Sequence, residues 1–227
     1  MPFLLLAAGY LIGAIPFGLM LGRAVKGIDL RTVGSGNIGA TNAGRVLGKR
    51  LGTVVLLCDV LKGLLPTLAA RLLREPSWPL ADSPEAWPTL VGLAAVLGHV
   101  FPIYLGFRGG KGVATGLGVA IVLGPIAILV GLAGFVLVTY TTGYVALGSM
   151  TAAIAYAAVR AIRLGDDLLV ADAWPLWLFT FGVPLLIIWA HRTNIARLRS
   201  GTEGQSWERL RGKTPAAGDR GSGTEDG

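Results

Sequence analysis

Long apolar blocks alternate with short polar segments along most of this chain. Residues 3–22, 51–73, 89–107 and 174–190 are dominated by apolar side chains, and residues 113–163 form one longer, almost uncharged run. The apolar positions come in blocks rather than stripes, and about 18 or more in succession predict a helix that crosses a membrane. Gly124-Pro125 and Tyr140-Thr141-Thr142-Gly143 interrupt the long run and divide it into 113–124, 126–141 and 145–162. Proline disfavours helical backbone in the residue before it, so a break belongs at Pro125. At about 1.5 Å per residue, the piece at 113–124 is too short to span the apolar core.

The flanking charges predict a topology. Arg23, Lys26 and Arg31 follow the first block, which places the first loop inside and the N-terminus outside. No basic cluster precedes that block, so it reads as a retained helix rather than a cleaved leader. The connection from Glu75 to Pro88 carries Glu75, Asp82, Glu85 and four prolines, with no lysine or arginine, and suits an outer loop. Trp78 and Trp87 in that loop, with Trp174 and Trp177 opening the last block, then lie at the outer interface, where tryptophan is enriched. Arg108 and Lys111, and later His191, Arg192, Arg197 and Arg199, return to the inside. Parity then requires an odd number of crossings, and the three pieces of the long run with the final block make seven. Five is the alternative, with 113–141 as one helix and 145–162 not crossing. The expected fold is an all-α integral membrane protein, a seven-transmembrane-helix bundle with at least one half-length helix. Residues 1–203 would form the membrane domain and 204–227 a disordered cytoplasmic tail, polar and without periodicity.

Composition agrees: 53% of the 227 residues are hydrophobic, 15% are charged, and the mean hydropathy is +0.64. The net charge of +7 borders apolar blocks, which points to anionic lipid and anionic substrates rather than nucleic acid. A single cysteine, Cys58, rules out an intrachain disulfide. No internal repeat and no metal-ligand cluster stands out, no cofactor is expected, and nothing specifies an oligomer.

Three polar clusters carry the candidate chemistry. The first runs from Gly34 through Ser35, Gly36, Asn37, Gly39, Thr41 and Asn42 to Arg45, and its amides and hydroxyls suit a small anion such as phosphate. In the second, Gly109, Gly110 and Gly112 flank Lys111, whose ammonium is a compact positive charge, and His99 lies about three helical turns upstream in the same block. The third comprises His191, Asn194, Arg197 and Glu203; a continued helix would put His191 and Asn194 on one face with Arg197. Asp59 and Lys62 share a face of the second block and read as an ion pair that sets this helix beside the first loop. Gly34-x-Gly36-x-x-Gly39 matches a dinucleotide-binding spacing, but a membrane helix precedes it instead of a strand. Gly110-Lys111 lacks the rest of a P-loop. On spacing alone, tight glycine turns are the alternative to anion binding for the glycine-rich clusters, and a basic helix end on anionic lipid accounts for the third equally well.

Taken together, the clusters resemble a known family. Gly34-Ser35-Gly36-Asn37-x-Gly39-Ala40-Thr41-Asn42-x-x-Arg45, Gly98-His99-x-Phe101-Pro102 continuing to Gly109-Gly110-Lys111-Gly112-Val113-Ala114-Thr115, and His191-x-x-Asn194-Ile195-x-Arg197-Leu198-x-x-Gly201-x-Glu203 are similar, in order, to three motifs of the PlsY family of bacterial glycerol-3-phosphate acyltransferases. Asp59-x-x-Lys62-Gly63 also looks like a family feature. The resemblance implies a seven-helix inner-membrane enzyme with a cytoplasmic active site. It would transfer an acyl group from acyl phosphate to the 1-hydroxyl of sn-glycerol 3-phosphate, giving lysophosphatidic acid and phosphate. It further implies that Ser35, Arg45 and Lys111 bind phosphate groups, that His191 and Asn194 position substrate or assist proton transfer, and that the second motif, with His99 and Thr115, belongs to the glycerol-phosphate site. Thr142 to Ser149 is similar to a family segment that usually has a basic residue at 143 and serine at 146; here Gly143 and Ala146 stand there and Ser149 is retained. An activated donor needs no acyl-enzyme, so direct attack by the hydroxyl is expected. The His-x4-Asp pair of other acyltransferases is absent: Ala196 stands where the aspartate would follow His191. The rivals are a transporter of phosphorylated solutes, which would favour repeated halves and a midplane site, and a scaffold without activity.

Overall fold

Prolines and glycines set most of the helix ends. In the computed structural model, which describes residues 1–75, 77–80, 83–169 and 171–205, α1 (Pro2–Ala14) stops before Pro16, with Ile15 extended, and α2 (Phe17–Lys26) continues the first span. A short helix, α3 (Ala40–Val46), follows the first loop and leads into α4 (Lys49–Leu72). Next come α5 (Ala86–Val100), α6 (Val113–Leu123), α7 (Pro125–Thr142) and α8 (Val145–Leu164). Gly124, with φ −153° and ψ 68°, leaves helical backbone between α6 and α7, as a residue before proline tends to, and Gly143 has φ +80° between α7 and α8.

The last span is α9 (Trp174–Trp177), a wide π-helical turn at Leu178–Gly182, and α10 (Val183–Ala190). Pro184 has no N–H for the carbonyl four residues back and its ring crowds that carbonyl, which accounts for the wide turn. The chain then bends by 52° at His191 into α11 (Arg192–Arg199).

Among the described residues, five helical stretches are long and apolar enough to cross a bilayer: Pro2–Lys26, Lys49–Leu72, Ala86–Leu105, Pro125–Thr142 and Val145–Leu169. The bent pair Trp174–Ala190 and Arg192–Arg199 adds a sixth when taken as one span. With 11 residues, α6 is the half-length helix that Gly124-Pro125 predicts. Leu57, Leu61 and Leu65 on α4 and Leu129, Val136 and Leu137 on α7 are exposed, which makes the outer surface apolar as a bilayer requires. This is an all-α multi-pass membrane protein.

Close helix contacts rest on small residues, since burying apolar area gains nothing between helices already in lipid. Gly13 of α1 lies against Ala95 of α5, and Gly118 of α6 lies against the Val60 carbonyl of α4. A Cβ at either glycine would overlap the neighbouring backbone. Gly118→Leu is expected to pry α6 from α4 and destabilise the fold by about 1–3 kcal/mol, read as a lower unfolding temperature in detergent. Wild-type stability would mean the two helices do not touch there.

The contacts also give the helix directions. Thr67 neighbours Gly92 while Asp59 neighbours His99, so α4 and α5 are antiparallel. Val119 neighbours Gly92 and Gly112 neighbours Val100, so α6 opposes α5 as well. Gly131 with Ala152, and Gly148 with Phe135, make α7 and α8 an antiparallel pair. Phe101 and Trp189, with ring centroids 6.0 Å apart, align the ends of α5 and α10. The first loop, the turn before α6 and the α10–α11 junction therefore share one end of the bundle.

One expectation changes. The third block is helical from Ala86 to Val100 rather than over 89–107, because Pro102 stops it and a short turn at Ile103–Leu105 follows. Just past Glu203, Gln205 Nε2 donates to the Tyr144 hydroxyl at 3.3 Å. The rest of the expected tail, and Asp82 of the expected outer loop, lie outside the described residues.

Candidate active site

The first loop is tied to itself by asparagines. Asn42, 1% exposed, donates through Nδ2 to the carbonyls of Leu30, Val33 and Asn37 at 3.1, 3.1 and 2.8 Å. Its Oδ1 accepts the Ser35 N–H at 2.8 Å. Asn37 Oδ1 accepts the Gly39 N–H at 2.9 Å, and the Gly36 N–H goes to the Val33 carbonyl. Gly34 and Gly36 have φ of +62° and +70°, so the loop can coil around Asn42. Beneath it, buried Leu30, Ala43, Leu47 and Val55 form a small apolar base. The amides of Ser35, Gly36 and Gly39 are thus engaged within the loop. It presents the side chains of Ser35, Asn37, Thr41 and Arg45 on a scaffold that Asn42 holds shut.

The second cluster folds back rather than continuing a helix from His99. The Gly110 N–H donates to the His99 carbonyl at 3.0 Å and the Gly109 N–H to the Val100 carbonyl at 3.1 Å. A Cβ on Gly110 would overlap the His99 ring. These glycines therefore serve close approach, and their amides are engaged by the chain itself. Gly112, with φ +80°, starts α6 and leaves Lys111 at its base. Thr115 is fully buried and lies off the cavity.

In the third cluster, Lys111 Nζ donates to Asn194 Oδ1. Asn194 Nδ2 donates to Glu203 Oε1 at 2.7 Å, and Arg197 Nε donates to Glu203 Oε2 at 2.6 Å. The chain past α11 thereby folds back over Asn194. Arg197 is occupied at this outer position and does not line the cavity. His191 Nδ1 lies 2.8 Å from the Ile187 carbonyl, which can only accept, so Nδ1 carries the proton and Nε2 is the acceptor.

Charge follows from these surroundings. Burial, reinforced by the nearby Arg197 and Arg45 charges, pulls Lys111 down to about 8, with Glu203 opposing; its ammonium is still the dominant form at neutral pH. Burial and then Lys111 push His191 down to about 4, so its imidazole is neutral there.

Asp59, Lys62 and His99 form a buried group next to the clusters. Lys62 Nζ lies 2.9 Å from Asp59 Oδ1 and donates to the Ile15 carbonyl at 2.9 Å; His99 Nδ1 lies 3.7 Å from the same Asp59 oxygen. Ile15 is the extended residue at the break before Pro16, so Lys62 ties α4 to the break in the first span.

One cavity of about 330 Å³ joins these groups. Ser35, Asn37, Thr41, Asn42, Arg45, Asp59, His99, Lys111, His191, Asn194 and Glu203 line its polar part. An apolar arm continues between α6, α7, α8 and α10, past Leu117, Phe135, Ser149 and Ile187, to the edge-on rings of Tyr156 and Phe179. Ser149, also on α8, donates to the Val145 carbonyl at 2.8 Å. From Val145 to Tyr156 the arm follows about 16 Å of helix. The structure thus brings the three sequence-derived clusters together, with Gly34, Gly36, Gly109, Gly110, Gly112, Thr115, Lys62 and Arg197 behind the lining. The apolar arm escaped sequence reasoning: its residues look like any membrane helix, and only the gap between four helices distinguishes them. Among the described residues no group of His, Cys, Asp and Glu could hold a metal ion.

The likenesses to known proteins agree with this geometry. A family model described as glycerol-3-phosphate acyltransferase matches residues 3–201. A glycerol-3-phosphate acyltransferase of Anaeromyxobacter sp. (strain K) is 47% identical over 202 residues, covering 88% of this chain and 94% of its own. That of Geobacter metallireducens is 50% identical over 200 residues, covering 88% and 95%. The crystal structure of PlsY, an integral membrane glycerol 3-phosphate acyltransferase, in its glycerol 3-phosphate form superposes with a TM-score of 0.79 at 38% identity, covering 92% of this chain and 98% of that one. Its lysophosphatidic acid form gives 0.77 at 36% identity, with the same coverage. Matches of this length and identity mean that the chain belongs to the glycerol-3-phosphate acyltransferase family.

Proposed function

We propose that this protein transfers an acyl group from acyl phosphate to the 1-hydroxyl of sn-glycerol 3-phosphate, releasing lysophosphatidic acid and phosphate as the first step of phospholipid synthesis. The observation that carries the reading is a single cavity whose cationic mouth, with Arg45 and Lys111, opens into an apolar arm ending at Tyr156 and Phe179. Such a shape suits a molecule with a phosphate at one end and a fatty chain at the other, next to a second, small phosphate ester. The glycerol 3-phosphate and lysophosphatidic acid forms of PlsY are an acceptor and a product of this kind.

Acyl phosphate is already activated, so the protein has to align two anions and stabilise charge as the hydroxyl attacks the carbonyl. Lys111, Arg45 and Ser35 bear on the phosphate groups. Asn194, held by Lys111 and Glu203, and His191, through Nε2, orient the acceptor hydroxyl. A new ester C–O bond forms as the C–O bond to phosphate breaks, and the hydroxyl proton ends on the released phosphate. Near pKa 4, His191 is a weaker base than a phosphate monoester, whose second pKa is about 6. We therefore assign the proton to a substrate phosphate and a hydrogen-bonding role to His191. No acyl-enzyme is needed.

Residues 1–203 would form the catalytic unit and 204–227 a tail. Counting α6 with its six longer neighbours gives seven crossings, supported by the alternating helix directions. Arg23, Lys26, Lys49, Arg50, Arg108, Arg192 and Arg199 flank the active-site end, which supports a bacterial cytoplasmic membrane with that end and the C-terminus inside and the N-terminus outside. Purified protein given acyl phosphate and glycerol 3-phosphate should release inorganic phosphate and form lysophosphatidic acid in equal amounts. Absence of both, in detergent and in lipid, would refute the reading, and a stable acyl group trapped on the protein would refute direct attack.

A further inference from the structure

At the opposite end of the bundle the ends of α4 and α8 converge on a second cavity, about 690 Å³, lined by Arg71, Arg74, Arg160 and Arg163 together with Glu85 and Asp167. Among the described residues of its lining, four guanidinium groups thus face two carboxylates. Two of the four have structural work. Arg71 donates to the Val122 carbonyl, where α6 ends, and lies 3.9 Å from Glu85; Arg160, its side chain 12% exposed, is paired with the other Glu85 oxygen. The side chains of Arg74 and Arg163 make no hydrogen bond or ion pair with any described residue.

A basic residue in the last turn of a helix interacts favourably with the helix dipole, and that alone accommodates Arg71 and Arg163. It does not explain Arg74, beyond the end of α4, nor why both helices turn their arginines into one basin. The rim adds a second observation. Leu72 and Ile162, on the same helix ends as the arginines, and Leu169, just past α8, are 74%, 80% and 79% exposed, so large apolar side chains stand at the same level of the bundle as the cationic recess. A free anion needs only the recess; a phospholipid uses both, its phosphate among the arginines and its chains along the rim.

We propose that this basin binds the phosphate of an anionic phospholipid from the leaflet opposite the active site. Arg74 and Arg163 make the primary contacts, on a base held by Arg71, Arg160 and Glu85. The site is separate from the catalytic cavity and does not depend on the reaction assigned to it. Each arginine near a bilayer surface adds about fivefold to anionic-lipid binding.

The test is lipid binding to the full chain in nonionic detergent, measured by native mass spectrometry with phosphatidylglycerol, phosphatidylcholine or inorganic phosphate. The wild type is expected to retain phosphatidylglycerol over phosphatidylcholine. Arg74→Gln/Arg163→Gln should lose that preference by about tenfold or more while keeping wild-type acyl transfer. Arg74→Lys/Arg163→Lys should keep most of the preference, since the charge is conserved. Equal retention of phosphatidylglycerol by the wild type and the glutamine variant would overturn the proposal. Inorganic phosphate, at matched concentration, displacing the lipid from the wild type would overturn the lipid assignment in favour of a free-anion site. If the double variant fails to fold, Arg163→Gln alone, at an exposed position, should still weaken retention several-fold, and an unchanged value would count against the site.

Discussion

Lys111→Gln is expected to lower kcat/KM for acyl transfer by about 10²–10³-fold, the usual cost of removing one donor aimed at developing charge. The side chain sits where all three clusters meet, beside Asn194 and under the influence of Arg45, Arg197 and Glu203. Glutamine can still donate to Asn194, so the protein should fold while the positive charge is gone. The pH profile separates charge from shape. Lys111 is held down to about 8, so its ammonium is complete well below that pH and is lost as pH rises through it. Activity that needs the charge should therefore fall on the alkaline side of about pH 8 in kcat/KM. A bound dianionic substrate favours the ammonium, so the corresponding fall in kcat should lie at higher pH. The variant should lack the Lys111 limb. Wild-type rates for Lys111→Gln, or an unchanged limb, would remove Lys111 from the mechanism.

Asp59→Asn should have the largest effect on stability. It leaves the Lys62 ammonium, 2% exposed, with the Ile15 carbonyl as its described oxygen partner. Breaking one side of a buried ion pair costs about 3–5 kcal/mol, because the remaining charge is uncompensated. Replacing both, as Asp59→Leu/Lys62→Leu, should recover much of that loss, since desolvation offsets most of what a buried pair gains. Unfolding temperatures in detergent check both statements. A single variant as stable as the wild type would mean that the pair does not anchor α4 to the break in the first span.

The skeleton was readable because local chemistry fixed it. Pro16, Gly124-Pro125 and Gly143 interrupt helices for reasons carried in the residues themselves, and the short α6 followed from counting. The three clusters were visible as polar chain between apolar blocks, and basic flanking residues put them on one side. What escaped depends on contacts distant in sequence. Hydropathy carried the third block past Val100, although Pro102 stops the helix. Asn42 looked like a ligand donor among others, yet its hydrogen bonds reach back to Leu30 and make it the clamp of the loop. The link from Glu85 to Arg160 crosses 75 positions, so a connection without basic residues gave no hint that arginines would gather beside it. The apolar arm had no pattern of its own.

That arm has a consequence for how the protein meets its reactants. With a greasy slot and a charged mouth in one continuous space, the proposed reaction would keep the donor's tail in an oily medium while its reactive end faced the aqueous pool that supplies the acceptor. The catalyst would then stand at a phase boundary. Its turnover should accordingly track the mole fraction of donor within the bilayer plane, and diluting that plane with inert lipid should slow it even when nothing in the surrounding water changes.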